Sequence, residues 1–249
     1  MITVEHVTKR YGATLAVDDV SFQVERGQVV GFLGPNGAGK STLLRLLSTW
    51  LAPDAGRLTV AGHDTRRAPL GVRRALGYLP EHNALYETMR VDRFLRFVGR
   101  VHGLEGARLV ERTGWVVEAC QLEGVLAKKI QHCSKGFRQR VGVAAALIHD
   151  PPVVLLDEPT HGLDPLQVAL FLEFVRALAP THAILFSTHV LSEAVAVADR
   201  LLVIHAGRLL LDSPVGAVRA RAKENGRSIE DELLELVRAA RRGPAGTTA

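Results

Sequence analysis

Eight residues, Gly34-Pro35-Asn36-Gly37-Ala38-Gly39-Lys40-Ser41, constrain this chain more than any other stretch. They match GxxxxGK(S/T) at every fixed position, and their flanks are what that pattern needs. Before them, Val29 to Leu33 is a short apolar run between Gly27 and Gly34, the kind that makes a buried strand in a parallel sheet. After them, Leu43, Leu46, Leu47, Trp50 and Leu51 recur at i, i+3, i+4, i+7 and i+8, one face of an amphipathic helix. A strand, a glycine-rich turn and a helix, in that order, point backbone N–H groups inward toward phosphate oxygens. The helix N-terminus, with Thr42 in its first turn, adds partial positive charge. Lys40 is then placed to reach the β- and γ-phosphates of a nucleotide such as ATP, and the Ser41 hydroxyl to ligate Mg²⁺.

A phosphate loop needs an acidic strand beside it. Val153-Val154-Leu155-Leu156-Asp157-Glu158 supplies one. Asp157 would end an apolar strand and hold the magnesium shell. Glu158 follows, where a carboxylate can orient the water attacking the γ-phosphate and accept its proton. A strand-end Asp-Glu pair alone reads as an ordinary solvated loop; the phosphate loop upstream gives it a task.

The rest of the chain alternates strands with helices. Val4, His6 and Thr8, then Val20, Phe22 and Val24, recur with period two around a turn at Tyr11-Gly12 and predict an antiparallel β region. Arg57 to Ala61 and Leu76 to Leu79 read as further strands. Between His82 and Asp150 the character turns helical. Val91 to Val101 has Phe94, Leu95, Val98 and Val101 inward and Arg93, Arg96 and Arg100 outward; Leu109 to Ala119 and Arg138 to Ile148 follow as helices. Asp164-Pro165 opens a helix with Asp as N-cap and Pro at the first position. Ile184 to Phe186 and Leu201 to Ile204 are strands around a helix at Leu191 to Ala198, and Ser213-Pro214 reads as another N-cap start. Gly243 to Ala249 has the polar make-up of a disordered tail. The expectation is an α/β fold with a mainly parallel sheet.

Composition narrows the setting. The chain has 249 residues, a formal net charge of +5 with both signs interspersed, and two cysteines, Cys120 and Cys133, outside any CxxC spacing. That fits a reduced, cytosolic chain without a zinc cluster. No run approaches the ~18 apolar residues of a membrane span, so a membrane role requires a partner chain.

Several motifs in order resemble the ATP-binding subunits of ATP-binding-cassette transporters, from about Ile2 to Pro214. Tyr11 matches the family's adenine-stacking aromatic, and Pro80-Glu81 its glutamine loop. Ser134-Lys135-Gly136-Phe137-Arg138-Gln139 stands at its signature sequence, and Asp157-Glu158 at its second Walker motif. Gly162-Leu163-Asp164 matches its D-loop, and Ser187-Thr188-His189 its switch histidine. The resemblance implies a P-loop NTPase core, with an N-terminal antiparallel β region and a helical subdomain inserted at about 82–150. The ATPase domain would run over 1–217, and a short C-terminal helix and tail over 218–249.

It further implies an ATP-hydrolysing transporter subunit, with Glu158 and His189 as catalytic residues. Ser41, Glu81 and Asp157 would surround Mg²⁺. Tyr11, the loop from Gly34 to Thr42, Ser134, Gly136 and Asp164 would bind nucleotide. Two such chains would dimerise head to tail, the phosphate loop of one closed by Ser134 and Gly136 of the other. The dimer would drive an integral-membrane permease subunit, from the inner face of the cell membrane, with no nucleic-acid partner. The alternative within the same cassette class is a soluble ATPase acting on nucleic acid or ribosomes. Such relatives carry two cassettes, coiled coils or zinc modules, which this chain lacks.

Two departures stand out. The usual signature reads Leu-Ser-Gly-Gly-Gln, whereas here Cys133-Ser134-Lys135-Gly136-Phe137 puts Lys135 in place of a glycine. That requires backbone outside the positive-φ region at that position. Glu81 replaces the glutamine and adds negative charge beside ATP. Both resemble an export and gliding-motility branch of the family, as does Ser228-Ile229-Glu230-Asp231-Glu232-Leu233 near the C-terminus.

Overall fold

A computed structural model describes residues 1–242, so the tail expected at 243–249 lies outside the described residues. In chain order the elements are β1 (Ile2–Tyr11), β2 (Thr14–Val24), β3 (Val29–Leu33), α1 (Lys40–Leu47), β4 (Ala55–Val60), β5 (His63–Asp64), α2 (Pro69–Ala75) and β6 (Leu76–Leu79). The helices α3 (Val91–Val101), α4 (Gly106–Ala119) and α5 (Lys135–Leu147) follow. Then come β7 (Val153–Asp157), α6 (Pro165–Leu178), β8 (Ala183–Thr188), α7 (Leu191–Val197), β9 (Arg200–His205), β10 (Arg208–Pro214), α8 (Val215–Glu224) and α9 (Ile229–Arg242).

Two sheets result. One is antiparallel, in the order β2-β1-β4-β5. The other runs β10-β9-β3-β8-β7-β6 and is parallel except where β10 meets β9. Period two along its buried strands assigns side chains to opposite faces. Val30, Phe32, Val153, Leu155, Ala183 and Leu185 join the core that holds the antiparallel sheet and α1. Val29, Leu33, Val154, Leu156, Ile184 and Phe186 join the core against α3 to α7. Each fully buried leucine of α1 contributes about 2 kcal/mol of burial, and Leu43, Leu44, Leu46 and Leu47 fasten the helix behind the phosphate loop.

Several sequence expectations are corrected. The helix after the phosphate loop stops at Leu47, because Thr49 turns left-handed (φ 64°) and the chain folds back onto the Arg45 carbonyl. Trp50 therefore leaves the apolar face and is 70% exposed. Val101 ends α3 facing outward, 68% exposed; Gly99 takes the inward place against Leu104, Leu109 and Ile148. Ser213 is no N-cap: Arg208 to Pro214 is the edge strand β10, and α8 begins only at Val215. The strand placed at Arg57 to Ala61 is β4, a member of the antiparallel sheet.

Candidate active site

The site lies at the C-terminal ends of the parallel strands, where ligands of open α/β sheets bind. β3 delivers the phosphate loop, β7 ends in Asp157, and β8 ends in Thr188 just before His189. Register does the alignment: Leu33 pairs with Thr188, and Asp157 with Ser187. The loop turns through left-handed Gly37 and Gly39 (φ 79° and 111°). A Cβ on Gly39 would collide with the Ala16 carbonyl, so only glycine lets the loop pass β2.

Pro35, Asn36, Gly37, Ala38, Gly39, Lys40, Ser41 and Thr42 line a cleft of about 600 Å³ together with Glu81 and Glu158. Gly34 precedes this lining, and a Cβ there would stand 2.5 Å from the Ile204 carbonyl. Lys40 is buried, and its Nζ donates to the Gly34 carbonyl at 2.6 Å and the Pro35 carbonyl at 3.3 Å. The same ammonium approaches Glu158 Oε1 at 3.3 Å, off hydrogen-bond geometry, so that buried oxygen has no hydrogen bond. Glu158 Oε2 is held by His189 Nδ1 at 2.8 Å. Glu158 itself is 6% exposed, in left-handed backbone (φ 48°), its N–H held by Ser187 Oγ at 3.0 Å.

Asp157 is buried, 1% exposed, and accepts from Ser187 Oγ at 2.7 Å and Ser41 Oγ at 3.3 Å. Burial pushes its carboxyl above the usual range; the two serine hydroxyls pull it down, and the Glu81 and Glu158 carboxylates push it up again. A desolvated carboxylate beside two more, with a serine hydroxyl at hand, is a hard-oxygen donor set that suits Mg²⁺. Among the described residues no set of three His, Cys, Asp or Glu side chains forms a metal cage.

The other candidates lie around this centre. Tyr11, 45% exposed, ends β1 in register with Thr14, which lines the cleft, while Tyr11 does not. Ser134, Gly136 and Asp164 are away from the cleft, grouped where α5 and α6 start. Ser134 Oγ caps α5, accepting from Phe137 N at 3.4 Å, and Asp164 Oδ1 caps α6 from Gln167 N at 2.9 Å. Gly136 is buried beneath Gln167.

Sequence reasoning gave several participants no role of their own. Ser187 bridges Asp157 and the Glu158 backbone; its place at a strand end was the available signal. Glu193 Oε2 gathers the hydroxyls of Thr160 (2.7 Å) and Thr188 (3.0 Å). Leu15 and Ala16 of β2 and Ala206 of the turn between β9 and β10 wall the cleft, with nothing in their local sequence to mark them.

A phosphate loop on β3, an acidic end on β7 and a histidine after β8 define a P-loop ATPase of the cassette kind. Comparison with known proteins agrees. A family model described as ABC transporter matches residues 17–161. The daunorubicin resistance ATP-binding protein DrrA3 of Streptomyces coeruleorubidus is 42% identical over 220 residues, 88% of this chain and 70% of that one. The ABC transporter ATP-binding protein NatA of Bacillus subtilis (strain 168) is 38% identical over 216 residues, 84% of this chain and 88% of that protein. A solved ATP-binding subunit of an ABC transporter superposes with a TM-score of 0.86 at 31% identity, covering 95% of this chain and 99% of the other.

The chain belongs to the ABC transporter family, as an ATP-binding and ATP-hydrolysing subunit. These relatives do not favour the nucleic-acid or ribosome alternative. Among the described residues no helix is long and apolar enough to cross a membrane.

Proposed function

We propose that this chain hydrolyses Mg-ATP between two copies of itself and so drives an integral-membrane permease subunit of an exporter, from the inner face of the membrane. Export is supported by the drug-resistance name of DrrA3. The cassette would span 1–217, with α3 to α5 as an inserted helical subdomain at about 82–150, and 218–249 as a C-terminal appendage.

One observation carries the catalytic reading. Glu158 lies in the phosphate-loop cleft with one carboxylate oxygen tied to His189 and the other buried without a hydrogen bond. His189 fixes the carboxylate's orientation and leaves Oε1 to take a proton from the attacking water. That water's oxygen would attack the γ-phosphorus and ADP would leave, bearing the departing charge. Lys40 would exchange the Gly34 and Pro35 carbonyls for the β- and γ-phosphates. Ser41, Asp157 and Glu81 would hold magnesium, which would supply positive charge against the charge developing in the transfer. Tyr11 would stack on adenine. Ser134 and Gly136 of the second copy, at the N-terminus of α5, would close over the γ-phosphate, with Asp164 at the same junction.

Glu158→Gln tests this reading. It is expected to keep ATP binding, slow hydrolysis by roughly 10²–10⁴-fold, and accumulate an ATP-bound dimer in size-exclusion chromatography. Turnover equal to wild type rejects Glu158 as the base.

A further inference from the structure

The segment from Glu158 to Asp164, joining β7 to α6, is anchored from two directions. On one side, Ser187 of β8 holds the Glu158 N–H, and Glu193 of α7 accepts from the Thr160 hydroxyl at 2.7 Å. On the other side, both contacts come from α5. Gln139 Nε2 donates at 2.7 Å to the carbonyl of Pro159, the residue next to Glu158. Lys135 lays its side chain across Gly162: a Cβ on Gly162 would stand 3.1 Å from Lys135 Cδ and collide with its Cε and Nζ. Lys135 is itself exposed, and its stem lies against Gly162. The interlock is mutual, because Gln167 of α6 fills the space over Gly136, where a Cβ would meet its Oε1 at 2.7 Å.

We infer that Gln139 and Lys135 are positioning residues for Glu158: by gripping Pro159 and Gly162 they make the alignment of its carboxylate depend on where α5 sits. The inference rests on Glu158 being the general base proposed above. Glu158 is in left-handed backbone, a conformation that persists only when its surroundings enforce it. Releasing the Pro159 carbonyl removes one of the enforcing contacts. Because α5 also carries Ser134 and Gly136, the element proposed to close over one nucleotide and the base that attacks another become one mechanical unit within a single chain. Lys135, standing where the usual signature has glycine, adds a grip that a glycine there would not have.

Gln139→Met keeps the side-chain length and removes the donor. Steady-state ATP hydrolysis and fluorescent-ATP binding are measured for wild type, Gln139→Met, Glu158→Gln and the double variant. The expected result is a kcat about 10-fold lower for Gln139→Met with KM and nucleotide affinity within about twofold. In the Glu158→Gln background the same change is expected to cost less than about twofold, since it acts through the missing carboxylate. Lys135→Gly is expected to lower kcat by about 3- to 5-fold, and Lys135→Met, which restores a stem over Gly162, to recover most of that.

Equal slowing of the wild-type and Glu158→Gln backgrounds overturns the inference and leaves Glu158 as the base. Lys135→Met as slow as Lys135→Gly overturns the packing role of Lys135. Glu158→Gln as fast as wild type removes the base itself, and the inference falls with it. If Gln139→Met lowers the thermal midpoint enough to cloud its kinetics, the Lys135 pair at the surface decides.

Discussion

At the ends of β3, β7 and β8 the buried ion pair is Lys40 beside Glu158 at 3.3 Å, and the other Glu158 oxygen meets the exposed His189 ring at 2.8 Å. Where the helical region meets β6, the half-buried polar pair is His102 and His149, stacked with ring centroids 3.7 Å apart. His149 Nε2 meets the Leu76 carbonyl at 3.2 Å, which makes it the donor nitrogen, and Nδ1 is buried without a hydrogen bond. Burial, and then the neighbouring His102, push His149 down to about 4. Burial also lowers His102. The first region keeps charge by pairing it, as a site for a polyanion must. The second avoids charge, as a packing joint must.

The sharpest way to break this contrast is to leave an ion alone. Lys40→Met removes the cation beside a carboxylate that is only 6% exposed. Breaking a buried pair in this way costs about 3–5 kcal/mol, read as a shift in the urea midpoint. Lys40→Met combined with Glu158→Gln removes both charges and is expected to regain most of that loss. Nucleotide binding is expected to be weakened in both variants, so recovery of stability without recovery of binding separates the structural charge pair from its function.

The helical region is tested with protons. The His149 pKa in the folded chain, about 4, lies below its ordinary 6.5. Between these values the unfolded chain binds a proton that the folded chain refuses, so stability is full above pH 6.5 and falls as pH drops toward 4. The loss amounts to as much as about 3 kcal/mol. His149→Gln, which can still donate to the Leu76 carbonyl, is expected to flatten that window in urea titrations at pH 7.5 and 5. An unchanged slope assigns the acid sensitivity elsewhere.

Legibility divides along similar lines. The strand–loop–helix at Gly34 to Ser41, the Asp157-Glu158 strand end and the Asp164-Pro165 helix start are local signals, written in consecutive residues. Periodicity overran at Trp50, where apolar spacing continues past the end of α1, and it turned Val101 inward although that last residue of α3 faces out and Gly99 takes the inner place. Ser213-Pro214 carries the chemistry of a cap but sits in an edge strand paired with β9 at Leu201 and Arg200, twelve and fourteen residues earlier. The cleft wall at Thr14 to Ala16, the Ser187 bridge and the Gln139 grip on Pro159 join residues far apart in sequence. Those contacts are properties of the packed fold, and no local pattern announces them.

The smallest prediction compares two caps that the sequence makes look alike. Asp164 accepts from Gln167 N at 2.9 Å, a full charge-assisted bond at the start of a helix. Ser134 accepts from Phe137 N at 3.4 Å, near the limit of a hydrogen bond, on a residue that is exposed. Asp164→Ala is therefore expected to cost about 1 kcal/mol of folding stability, and Ser134→Ala only about 0.5 kcal/mol or less. On hydrolysis the order should invert, with Ser134→Ala the slower enzyme, because its hydroxyl is held loosely by its own helix and is free to serve a phosphate in the second chain. A Ser134→Ala variant that loses stability as Asp164→Ala does, with turnover unchanged, would make Ser134 an ordinary cap and remove α5 from the nucleotide site.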